Sequence, residues 1–91
     1  LERHYAPNTE IRLNATDFTE GENILGFGPT APSRAFNLSP SENLLEAASN
    51  LFDFMHKLDQ PNSNPIAVMP IPNIGLGIAI NDRLHRAASK G

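Results

Sequence analysis

Three short stretches of this chain carry groups that could do chemistry: Gly75-Leu76-Gly77, Ser39-Pro40-Ser41-Glu42 and Asn81-Asp82-Arg83. Glycines that follow a strand and open a helix aim backbone N–H groups at an anion, so Gly75 and Gly77 are a candidate anion-binding turn. The dinucleotide fingerprint also needs a third glycine, where this chain has Ile80, and an acidic residue about 20 positions on, which it lacks. A tight turn with close helix packing is the stronger reading of the two glycines. Ser39 to Glu42 has the form of a helix start, with a Ser cap, Pro at the first helical position and Glu three residues after the cap. Such a start could hold an anion, but Glu42 in its first turn would repel one. Asn81, Asp82 and Arg83 fall on the polar side of a helix, where pairing of Asp82 with Arg86 or docking of another domain outranks catalysis.

Nucleophilic catalysis needs a Ser, Cys or Thr beside a base that a third group orients. Serines and three histidines are present, but no nucleophile-elbow pattern surrounds any of them. His56 and His85 sit near helix ends, where a solvated histidine is the ordinary explanation. No His/Asp/Glu cluster has zinc spacing and nothing resembles a calcium loop, so no catalytic residue and no metal ligand is assigned.

These groups must be positioned by few elements, because 91 residues make one domain with a small core. With 40% hydrophobic and 19% charged residues the composition is globular, and without cysteine there are no disulfides or thiolate metal sites. No apolar stretch approaches the ~20 residues that span a bilayer and no signal peptide opens the chain, so a cytoplasmic protein is expected. A net charge of -3 argues against direct nucleic-acid binding. Arg83, Arg86 and Lys90 come late in the last helix, where they complement its dipole. The chain starts at Leu1 rather than Met, which reads as the edge of a fragment of something longer.

Residues 1–9 read as a linker, and 10–91 as a small α/β domain. Short strands are predicted over Glu10–Asn14, within Asn23–Gly28, over Ala35–Leu38 and over Ile66–Met69. The last is apolar throughout and suits a strand covered on both faces. Too few residues separate the second and third strands for a helical crossover, leaving them neighbours through a loop or partners in a hairpin. A first helix is predicted from Ser39, with Leu44, Leu45, Ala48, Leu51, Phe52, Met55 and Leu58 as its core stripe. A second carries Leu76, Ile80, Leu84 and Ala87/Ala88 inward. The expected architecture is a small α/β domain in two or three layers, with a mostly parallel sheet of about four strands and two main helices.

Two separated segments then resemble one family, the long, two-domain threonylcarbamoyl-AMP synthases. Arg3-His4-Tyr5-Ala6-Pro7 is similar to their linker motif, and Ile66 to Ala88 to the end of their C-terminal accessory domain. Gly26-Phe27-Gly28, Asn37-Leu38-Ser39-Pro40 and Ala47 to Phe52 are similar to further family landmarks, in the same order. Glu2 departs, standing where many members carry a further tyrosine. The resemblance implies a parent enzyme that makes threonylcarbamoyl-adenylate from ATP, threonine and bicarbonate for tRNA modification, with ATP and magnesium held in an N-terminal catalytic domain absent from this chain. It implies no cofactor in this domain, a Rossmann-like fold, the catalytic domain as partner, and a linker lying over the nucleotide cleft. His4, Tyr5 and Pro7 match that linker, with Tyr5 placed to reach the nucleotide. Two other readings stay open: a free-standing nucleotide- or small-molecule-binding module, and a purely structural or oligomerisation domain.

Overall fold

The computed structural model describes residues 9–89. Along the chain they form β1 (Ile11–Arg12), β2 (Asn23–Gly26), β3 (Phe36–Asn37), α1 (Leu44–Leu58), β4 (Ile66–Val68) and α2 (Leu76–Ser89). The strands make one parallel sheet in the order β1-β4-β2-β3. As its unbroken apolar run requires, β4 is central: Ile66 pairs with Ile11 on one side and Asn23 on the other, and all three of its residues are buried. β2 and β3 are parallel neighbours joined by the loop 27–35 without a helix, which removes the hairpin alternative.

Period-2 alternation sorts the side chains onto two faces. Ile11, Leu25, Ile66 and Val68 point to the helices and join Ala47, Leu51, Leu58, Ile80 and Leu84 in one core cluster. Both helices thus lie on one side of the sheet, giving two layers. Arg12, Ile24 and Ala67 share the other face through their register, and there loops take the place of helices. The 27–35 loop crosses Gly26 so closely that a Cβ at this glycine would meet the Ala31 Cβ at 2.7 Å.

A polar clasp holds the 13–22 loop over that second face. Arg12 donates to both carboxylate oxygens of Glu22, from Nε at 3.1 Å and Nη2 at 2.8 Å, while the Thr19 N–H reaches Oε1 at 2.9 Å. Arg34 ties the same loop to the next one by donating to the carbonyls of Glu22 and Thr19. The Arg12 hydrogen bond, followed by that of Thr19, lowers the Glu22 carboxyl from its usual 4.5 to about 2, and Glu22 raises the Arg12 guanidinium above its usual value. A carboxyl depressed on folding stabilises the native state above its unfolded value and loses that contribution as pH falls toward its folded value. The Tm advantage of the native protein over Glu22→Gln should therefore be complete above pH 4.5 and vanish on approach to pH 2. Thermal melts of both proteins across this range check it, and a pH-independent difference would remove the clasp's ionic character.

Two sequence expectations need correction. α1 begins at Leu44, not at Ser39: its cap is Asn43, whose Oδ1 accepts from the Glu46 N–H at 3.0 Å. Ser39 to Glu42 is instead a turn closed by the Glu42 N–H on the Ser39 carbonyl, and Glu42 adopts a left-handed φ of 64° that no helix continues through. The core stripe of α1 is also narrower than its apolar pattern. Ala47, Leu51 and Leu58 are buried, whereas Leu45 and Phe52 are 69% and 65% exposed, and on α2 Leu76 is exposed too. Fifteen helical residues over a four-stranded sheet of very short strands turn more apolar surface outward than the sheet can cover.

Candidate functional site

The chemistry-bearing residues that the structure gathers lie around the corner from β4 into α2. Pro70 and Pro72 end the strand, since neither has an N–H to give to a ladder. Between them Ile71 turns inward and is buried. Gly75 takes a left-handed φ of 51° in open space, so its need for glycine is conformational. Gly77 differs: a Cβ there would run into the Pro72 carbonyl oxygen, far inside van der Waals contact. The tight-packing reading of this glycine is therefore what the backbone shows. The Gly77 N–H donates to the Ile74 carbonyl at 2.7 Å and the Ile78 N–H to the Gly75 carbonyl at 3.1 Å.

Asn81, Asp82 and Arg83 point three ways, as successive helical residues 100° apart must. Asn81 is half-buried and braces the corner, its Nδ2 donating to the Ile71 carbonyl at 3.0 Å and to Asn73 Oδ1 at 3.3 Å. Asp82 is exposed and pairs with Arg86 at 3.2 Å across one helical turn. Arg83 lies against α1, its guanidinium 6.0 Å from the centre of the exposed Phe52 ring. His56 and His85 are both exposed. His4, Tyr5 and Pro7 lie outside the described residues. Thr9, just after them, is buried, with its Oγ1 3.5 Å from the Gln60 carbonyl oxygen.

Between this corner and the end of β1 runs an open groove of about 430 Å³. Its walls include Leu13, Met69, Ile71 and Ile78, and its polar groups are Asn14, Asn73, Asn81, Asp82 and His85. Asn14 holds a left-handed φ of 54°, a conformation that Asn tolerates better than most residues. Asn14 and His85 escaped the sequence reading as site residues because they are far apart in the chain, and only the pairing of β1 with β4 brings them to one crevice. Among the described residues no three His, Asp or Glu side chains converge to hold a metal ion. Nor is any helix among them long and apolar enough to cross a membrane.

With this geometry in hand, comparison with known families gives a single clear result. The family described as threonylcarbamoyl-AMP synthase, C-terminal domain, matches residues 1–89. No solved structure matches the chain. A match over nearly the whole length means that the chain belongs to this family.

Proposed function

From that membership we propose that this domain is the accessory, regulatory part of a threonylcarbamoyl-AMP synthase. In this reading ATP, threonine and bicarbonate are joined in a separate catalytic domain of the same chain, which also holds the magnesium. The observation that carries the reading is the family match over residues 1–89. The outer surface of the helix layer supports it, because Leu45 and Phe52 share one face of α1 and leave large apolar side chains exposed. Leu76 and Arg83 repeat the spacing on α2, and Arg83 reaches the Phe52 ring. Large apolar residues exposed together suit a docking face for the catalytic domain.

The rival reading, a free-standing module that grips a nucleotide phosphate at Gly75 and Gly77, draws less support. The N–H groups of Gly77 and Ile78 already have carbonyl partners within the corner. An arm bearing His4, Tyr5 and Pro7 acts in the proposed function by covering the nucleotide cleft of the parent, where an aromatic ring excludes water from a reactive adenylate. In the intact synthase Tyr5→Ala is expected to lower adenylate formation from ATP, threonine and bicarbonate at least ~10-fold, at an unchanged Tm. Activity equal to that of the native enzyme would remove the linker role, and adenylate formation by this domain alone would overturn the division of labour.

A further inference from the structure

The groove lies where two neighbouring strands send their chains to opposite faces of the sheet. From the end of β1 the 13–22 loop passes to the face of Arg12, which it meets through Asp17 and Glu22. From the end of β4, the strand beside it, the chain turns through the Pro70–Gly75 corner to α2 on the helix face. Parallel sheets open a crevice at the carboxyl ends of two strands whose connections part in this way, and ligands of α/β domains bind there. The groove occupies that place, with Leu13 and Asn14 after β1 on one side and Met69 after β4 on the other.

Its chemistry selects the ligand. The groove is lined by one carboxylate, Asp82, and by no Lys or Arg among the described residues. Arg86 pairs with Asp82, but both side chains are largely exposed, which leaves the carboxylate hydrated and able to accept further hydrogen bonds. A phosphate or carboxylate placed here would face a like charge with no cation in the lining. Asn81 commits its Nδ2 to the Ile71 carbonyl and to Asn73 Oδ1, which leaves Asn81 Oδ1 as an acceptor and Asn73 Nδ2 as a donor. Apolar walls with a donor and an acceptor side by side suit the edge of a heterocycle, and a carboxylate beside them suits a pair of hydroxyls. A volume of about 430 Å³ is that of a small-molecule site.

We infer that the groove between β1, β4 and α2 binds an uncharged nucleoside, its base against Ile71 and Ile78 and its ribose hydroxyls on Asp82. This site is separate from the docking face proposed above, and its existence does not depend on that docking. Two-dimensional amide NMR spectra of the protein, titrated with each of the four ribonucleosides and with AMP, test it. At least one nucleoside at millimolar concentration should shift the Asn14, Met69, Asn73 and Asn81 amides together. If the binder is adenosine, AMP should bind the same residues ~5-fold or more weakly, the effect of one repulsive charge pair in water. If it is another nucleoside, its own monophosphate serves in place of AMP. The exposed Asp82→Asn should then bring nucleoside and monophosphate toward equal affinity. Absence of joint shifts with all four nucleosides overturns the inference, as does a monophosphate that binds as tightly as its nucleoside or a preference that Asp82→Asn leaves unchanged.

Discussion

Gly77→Ala is expected to lower the stability of this domain by about 3 kcal/mol or more, a large part of the 5–15 kcal/mol that holds a typical domain folded. Alanine is the better helix former by about 1 kcal/mol, so propensity alone predicts the opposite sign. Packing decides the outcome, because the new methyl would run into a backbone oxygen, that of Pro72, and not into a side chain that could rotate away. That oxygen cannot retreat alone. Its neighbour Ile71 is buried in the core and its carbonyl is gripped by Asn81, so relief requires moving the corner or the first turn of α2. A domain of this size loses about 4–8 °C of Tm per kcal/mol, which predicts a fall of at least ~12 °C. Gly75→Ala is the internal control: its methyl meets nothing within 4 Å, and only the left-handed φ of 51° penalises it, by about 1–2 kcal/mol. Gly21→Ala, also in open space, should be close to neutral. A Gly77→Ala protein that melts within ~3 °C of the native one, or above Gly75→Ala, would show that the corner yields more easily than its contacts imply.

The same corner marks how far local pattern reaches. The apolar run of β4 betrayed a doubly covered strand, and the spacing of Ile80 and Leu84 placed the buried stripe of α2, because both depend on periodicity within one element. Exposure of Leu45, Phe52 and Leu76 could not be read this way. It depends on how much sheet stands opposite each helix, which the chain settles only by pairing β1 with β4 across more than fifty residues. The groove has the same origin, since Asn14 and Asn73 belong to one crevice only in the order β1-β4-β2-β3. The start of α1 was illegible for a more local reason. Ser39-x-x-Glu42 and Asn43-x-x-Glu46 are consecutive versions of one capping pattern, and tertiary contacts choose between them.

Those contacts make Ser39 the second position of large expected effect. Ser39 is fully buried and its hydroxyl is used three times, donating to Glu46 Oε1 at 2.6 Å and accepting from the Asn43 N–H at 2.8 Å and, at a longer 3.4 Å, from the Ser41 hydroxyl. Its backbone is stitched in as well: its N–H donates to Asn37 Oδ1, and its carbonyl accepts from the N–H groups of Gly28 and Glu42. The hydroxyl thus joins the end of β3 to the first turn of α1 without capping the helix. Ser39→Ala removes one hydrogen bond to a charged group and leaves the Asn43 N–H without that partner, for an expected loss of about 2 kcal/mol. Glu46 is exposed and can turn to water, so Glu46→Gln should lose less than ~1 kcal/mol. Glu42→Gly separates a bracket from a cap by its sign. Glycine in the first turn of a helix would cost up to about 1 kcal/mol, whereas at a left-handed φ of 64° it relieves a penalty of about that size and leaves stability level or raised. Denaturant unfolding of these three variants and of Asn43→Ala decides the matter. A destabilised Glu42→Gly together with an Asn43→Ala that costs nothing would return the helix start to Ser39, and with it the Ser39 hydroxyl to the role of a cap.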